Sequence, residues 1–449
     1  MKKRIMALLM VMLMTAAMVL TSCGQKQEAP APAPTQAPTQ KQEQKPAEIT
    51  GDLRILWPGT SELEKKLAVE IQNEVKKQYP KVNIEFMYLS WGDIEKKLAA
   101  MTQAKDYPDL MMIQDVTNPV AMDALEPLDG YYNDKIKKDM FLKAPLEYMQ
   151  VDGKQYAIPS LAVVYSHVVN KDMFQAAGVK PEDLKNWDDL KKAAKAMTKD
   201  GKFGYAMANG GEGRFTFRDF MMVCLSNGIT PDDVSDKAKK QYIEVLSLFN
   251  DLSDNMPKTQ ITWLYPELFK AWEAGQMGMI HTGSYYTANA VSHGLNNMKR
   301  TVPVVFPKGP SAEKPQAMVG AVGFSIIKGS KNKEAAWKVL EIIMSPGILG
   351  KWAGSMHVPA VNYLTKDKME EGAKAAYPNA WQEHLAIVEG FKNIADKYGV
   401  QMPKILGQPQ MEKVVQGAMI KMIDKKLTPE QTYDEIRKGI EQVKASVKK

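Results

Sequence analysis

The chain is poor in the residues on which much catalytic and metal chemistry depends. Its 449 residues include two cysteines, five histidines and six arginines. Two cysteines, Cys23 and Cys224, cannot make a disulfide framework. The histidines are scattered without metal-ligand spacing, and neither His-Glu-x-x-His nor Cys-x-x-Cys occurs. Gly-x-Ser-x-Gly is absent too. The glycine-rich stretch after Asn209 lacks the Gly-Lys-Ser/Thr ending of a phosphate loop. Six arginines are too few for the cluster that an anion carrier needs. The acidic pairs Asp188-Asp189 and Glu370-Glu371 read as helix-start and surface acids. No enzyme activity, cofactor or metal is therefore expected. The formal charge is +7, and without Lys2, Lys3 and Arg4 it is +4. An excess that mild, interspersed with acids, argues against nucleic acid as a partner.

What is present begins at the N-terminus. Lys2-Lys3-Arg4 precedes an apolar run from Ile5 to Leu20, and Leu20-Thr21-Ser22-Cys23 closes it. The run is too short and wrongly flanked for a stable membrane span, and reads as a signal peptide over 1–22. The closing residues resemble a bacterial lipobox. That resemblance implies cleavage before Cys23, acylation of Cys23, and a chain anchored to the membrane rather than spanning it. Residues 23–48 then form the lipidated cysteine and a Gln-, Pro- and Ala-rich tether with nothing to bury. With Cys23 acylated, Cys224 has no intramolecular partner and reads as a buried structural thiol. About 400 residues remain, more than one core usually serves, so two lobes are expected.

From Leu53 the pattern alternates between strand and helix: Leu53–Trp57, a helix to Tyr79, Val82–Tyr88, a helix through Met101, then Leu110–Ile113. Such alternation predicts an α/β fold with parallel strands. In such sheets ligands occupy the crevice beyond the carboxyl ends of the strands. Those ends carry Trp57, Trp91, and Gln114 with Asp115. Indole rings offer faces for the C–H surfaces of sugars, and amides and carboxylates offer partners for hydroxyls. Leu125 to Tyr148 reads as mostly helical. Further candidate ligand contacts are Asn209, Glu212, Arg214 and Phe215 in the glycine-rich loop, with Trp263, Tyr285, Trp352 and His357 further on. His167 reads as a satisfied sheet residue, and Trp187 as a structural residue before an Asp able to cap its helix.

Several segments together resemble extracellular solute-binding proteins of the maltose-binding type. They are Gly153-Lys-Gln-Tyr-Ala-Ile-Pro, Asn170-Lys-Asp-Met-Phe, Phe269 to Tyr286 with its Trp272, Gly275 and Tyr285, and Gly323-Phe-Ser-Ile-Ile-Lys-Gly-Ser-Lys-Asn-Lys-Glu-Ala-Ala. The likeness runs from Leu53 to Val447, weakly between Asn362 and Gly399. It implies a type II periplasmic-binding-protein-like fold, two hinge-linked lobes with the ligand cleft between them. Lobe 1 would comprise 49–163 plus 283–326, and lobe 2 would comprise 164–282 plus 327–449. It also implies a monomer that captures a solute outside the membrane and delivers it to the transmembrane subunits of an ABC permease. The aromatic residues favour a carbohydrate, an oligosaccharide above all. A polyamine is the alternative solute, with Asp93, Asp115 and Glu212 as its acids, and a surface sensor or adhesion module without a permease is the alternative role. The long tether fits a Gram-positive cell surface.

Overall fold

In a computed structural model, residues 48–59, 61–211, 213–286 and 294–447 are described. The signal segment, Cys23, the tether to residue 47, Glu212 and the start of the helix expected from Thr287 lie outside the described residues. Ile49–Lys449 forms one compact unit.

The first strands follow the alternation read from the sequence. β1 (Gly51–Trp57) lies parallel to β2 (Val82–Tyr88) and to β3 (Leu110–Ile113). The helix Glu62–Gln78 crosses between β1 and β2, burying Leu67, Ile71 and Val75 on one face. Its start is a capping box: the Ser61 hydroxyl accepts from the Glu64 amide, and the Glu64 carboxylate accepts from the Ser61 amide. The helix Ile94–Gln103 then links β2 to β3.

Between β3 and the next long strand the structure departs from expectation. Leu125 to Tyr148 is mostly irregular, with a single 3-10 turn at Lys138–Met140 and one helix at Lys143–Tyr148. A two-residue hairpin follows, β4 (Gln150–Val151) and β5 (Lys154–Gln155), turned by Asp152 and Gly153 with positive φ at both.

β6 (Ile158–Asn170) is the strand that ties the unit together, with all 13 residues buried. Its first half pairs antiparallel with β9 (Ala317–Ile326), and β9 pairs antiparallel with β3. Its second half pairs with β7 (Met279–Gly283) and β8 (Thr301–Val304). β10 (Val358–Pro359) and β11 (Gly399–Gln401) add to β6 and β9. One curled sheet therefore passes from the β1–β3 end to the β7–β8 end through two strands.

The expected lobe boundaries do not follow these contacts. The helix Lys333–Ile343 packs on β1 and on Glu62–Gln78, and Pro346–Met356 packs on Glu62–Gln78 and most extensively on the helix Lys366–Ala376. The reason is topological. β9 ends at Ile326 opposite Leu110, so the chain leaves it at the β1–β3 end, and the next apolar helix covers that sheet. Conversely, β8 and the helix Gly294–Arg300 belong with the β6–β7 end. The helices Gln408–Ile423 and Pro429–Val447 pack with Arg214–Ser226 and Lys239–Leu252 there. Cys224 is buried and free, and His167 bonds the Tyr205 hydroxyl at 2.6 Å. Trp187 is buried as expected, although its helix is capped by Asn186 rather than by an aspartate.

Candidate functional site: a cleft in two compartments

The carboxyl ends of β1, β2 and β3 open onto a cleft whose opposite wall comes from the β6–β7 end. Its larger, outer compartment has a volume of about 660 Å³ and its smaller, inner one about 290 Å³. Sites for small molecules commonly lie in this range. Trp91, Gly92, Gln114, Arg214 and Arg218 line both compartments. Pro58, Gly59, Ser61 and Glu64 bring the capped start of Glu62–Gln78 to the outer rim.

The far wall is aromatic. Tyr265 heads the helix Tyr265–Glu273, and Tyr285 follows β7. Their hydroxyls are 2.5 Å apart and their ring centroids 5.4 Å apart. Phe215 packs on Tyr265 at 4.3 Å and Tyr165 on Tyr285 at 5.9 Å. The Arg218 guanidinium lies 5.6 Å from the Tyr165 centroid, close enough for a cation–π contact. Arg218 is 3% exposed. Burial opposes its charge, but the carboxylates of Glu412 and Asp115 and the face of the Tyr165 ring favour it, and the guanidinium stays charged.

The glycine-rich loop is held from behind. Gln416 Nε2 donates to the carbonyls of Asn209, Gly210 and Gly211, and Gly210 N–H donates to the carbonyl of Trp263. Gly213 then takes φ +95°, and a Cβ there would lie 2.4 Å from the Glu412 carbonyl oxygen. Only glycine suits that position. It starts the helix Arg214–Ser226, whose first turns send Arg214 and, one turn on, Arg218 into the cleft. Arg214 donates to Gln114 Oε1 at the end of β3, and this pair stands where the compartments meet.

Of the residues singled out from the sequence, Trp91, Gln114, Arg214, Phe215, Tyr285, Trp352 and His357 line the outer compartment. Asp115 lines the inner one, with Oδ1 accepting from the Thr117 amide. His357 is buried, its Nδ1 is 3.3 Å from the Ser284 hydroxyl, and burial holds the ring neutral with a pKa of about 3. Trp57 does not reach the cleft. It is fully buried, edge-on to Phe86 at 4.9 Å, because Leu53, Ile55 and Trp57 share one face of β1. Trp263 does not line it either: its ring packs on the second apolar cluster while its backbone holds the glycine loop. Asn209 is buried behind that loop, accepting from Thr216. Tyr165, Arg218, Tyr265, Glu64, Glu95 and Glu412 were not singled out. For Arg218 a signal existed in its spacing, since it stands four residues after Arg214, about one helical turn. Among the described residues no group of His, Cys, Asp or Glu is placed to hold a metal, and no helix is long and apolar enough to cross a membrane.

The sequence profile of the bacterial extracellular solute-binding proteins matches residues 59–348. The chain belongs to this family. A Brucella abortus chain named only as a binding protein is 25% identical over 371 residues, covering 78% of this chain and 88% of its own length. A Sinorhizobium fredii periplasmic-binding protein named for amino-acid ABC transport is 27% identical over 302 residues, or 66% of this chain and 65% of that one. The GacH receptor of Streptomyces glaucescens, solved unliganded and with acarbose, superposes with a TM-score of 0.71 at 17% identity. That match covers 88% of this chain and 99% of the receptor. The fold of this solute-binding protein is thus the two-lobed type II α/β fold, and its role is binding rather than catalysis.

Proposed function

We propose that this solute-binding protein captures an oligosaccharide outside the membrane and presents it to an ABC permease. The observation that carries this reading is the charge balance of a large aromatic cleft. In the outer compartment Glu64 and Asp93 face Arg214 and Arg218, and His357 is neutral. In the inner one Glu95, Asp115 and Glu412 face Lys96, Arg214, Arg218 and Lys413. A polyamine needs an excess of acids, and an anion an excess of bases. Among the described residues the outer compartment balances and the inner one differs by a single base, so neither shows such an excess. What fits a neutral, roomy, polar cleft walled by Trp91, Trp352, Tyr265 and Tyr285 is a ligand with apolar ring faces and hydroxyl edges.

Closure about β6 and β9, the two strands shared by both ends of the sheet, is the motion this reading uses. Ligand contacts made to both walls favour the closed state, and the permease reads closure. Cys23 is the lipid anchor, residues to 48 are the tether, and the bound chain acts as a monomer. The revised lobes are 49–165 with 317–361, and 166–304 with the C-terminal helices.

The test is a titration of the chain from Ile49 with mono- and oligosaccharides, polyamines and amino acids, followed by tryptophan fluorescence. A saturable change with a glycan, lost in Trp91→Ala, is expected. Saturation only by a polyamine or an amino acid would refute the carbohydrate reading and leave the fold untouched.

A further inference from the structure

The inner compartment has no use if the ligand fills only the outer one, yet it is built as a polar site. Gln408 is 4% exposed; its Nε2 donates to Glu412, and its Oε1 is buried without a hydrogen-bond partner. Arg218 Nε is likewise buried and unpartnered. Leaving such groups unmade is costly, on the order of 1–3 kcal/mol each. Around them stand the carboxylates of Asp115, Glu412 and Glu95, and burial pushes the Glu95 carboxyl up. The compartment therefore offers acceptors in its carboxylates and Gln408 Oε1, and donors in Arg218 Nε and the cationic side chains of Arg214, Lys96 and Lys413, in a nearly charge-balanced setting. Neutral hydroxyls, each able to give and to accept, satisfy that set.

The way in runs along Trp91, which walls both compartments, and past the Arg214–Gln114 pair that stands between them. We propose that this pair is a displaceable partition and that the inner compartment is a subsite for the terminal unit of a longer glycan. The inference rests on the carbohydrate reading above and extends it to chain length. The outer compartment has just over twice the inner volume. If the inner holds one sugar unit, the outer holds two, and the ligand has three units or more. A two-unit glycan leaves the partition closed and Gln408 Oε1 unpaired; the third unit opens the one and pairs the other.

Dissociation constants are measured for ladders of two to six units in the malto-, cello-, manno- and xylo- series. The chain from Ile49 is compared with Gln408→Leu and Glu95→Gln, with melting temperatures confirming folding. In the ladder that binds, affinity rises about tenfold or more between two and three units, as expected for one or two well-placed hydrogen bonds. That ratio falls below about threefold in Gln408→Leu and drops in Glu95→Gln, which keeps its shape and sits outside the Gln408–Glu412 bond. A flat ladder, or a two-to-three-unit step unchanged in both variants, overturns the subsite while leaving a carbohydrate-binding protein. If no glycan binds in any series, the carbohydrate reading fails and the subsite fails with it.

Discussion

The indole rings of Trp57 and Trp352 stack with centroids 6.0 Å apart and 25° between their planes, so the one supports what the other presents to the cleft. Trp57 also meets Phe86 and Phe324 and has no exposed surface. Truncating it leaves a large cavity beneath the binding wall. Trp57→Ala is expected to cost about 3–5 kcal/mol of stability, whereas half-buried Trp91→Ala is expected to leave stability nearly unchanged and to abolish saturable ligand binding. Urea unfolding and ligand titration of both variants separate the two roles. Equal losses of stability would put Trp91 in the core beside Trp57.

Gly213 answers to backbone geometry alone. An alanine there must hold a left-handed φ and move the Glu412 backbone, against which its Cβ is driven. The first cost is about 1–2 kcal/mol, and the overpacking adds about 1–3 kcal/mol. Gly213→Ala should therefore lower the unfolding midpoint markedly and weaken ligand binding, because Arg214 and Arg218 follow directly from that turn. Gly211→Ala, whose Cβ meets only the end of the Leu264 side chain at 3.0 Å, should be milder. The order of the two midpoints is the check.

Four buried histidines, His167, His281, His357 and His384, set an acid limit, because burial lowers the pKa of each ring. Burial lowers the ring pKa to about 3 in His357 and to about 4 in His384, although the Gly354 carbonyl bound by His384 works the other way. Unfolded rings titrate near 6.5. As pH falls below 6.5 the unfolded chain takes up protons that the folded chain does not, so stability is complete above that value and is lost toward pH 4. Each ring contributes a slope of about 1.4 kcal/mol per pH unit. Denaturant unfolding at pH 7 and at pH 5 should show the loss, and His384→Gln should reduce it by about a quarter, since His167 and His281 are buried and lowered in the same way. Stability independent of pH over that window would mean the rings are solvated.

Much of the cleft was legible because strand ends in an α/β sheet point to one side. Trp91, Gln114 and Asp115 follow from counting strands, and Arg214 from its place in the glycine-rich loop. Trp57 was legible too, by parity with Leu53 and Ile55, but its place at a strand end drew the opposite inference. Tyr165 and Tyr265 reach the site through tertiary packing. The course of the chain after β9 was not legible for the same reason: nothing in the residues of β9 states that it runs antiparallel to β3, and that pairing decides which end of the sheet the following helices cover.

The hydroxyls of Tyr265 and Tyr285 give the last prediction. They lie 2.5 Å apart, tying the start of a helix to the end of β7 and fixing two rings of the far wall relative to each other. Tyr285→Phe removes the bond while keeping the ring. A neutral hydrogen bond is worth about 0.5–1.5 kcal/mol, so stability should fall by no more than that. Binding should weaken by roughly twofold to tenfold if the pair's role is to hold the rings ready, and the change should appear in the association rate, because the wall must then be ordered by the ligand. If the loss appears only in the dissociation rate, the Tyr285 hydroxyl contacts the ligand directly. Stopped-flow fluorescence of the variant with the glycan identified by titration makes that distinction.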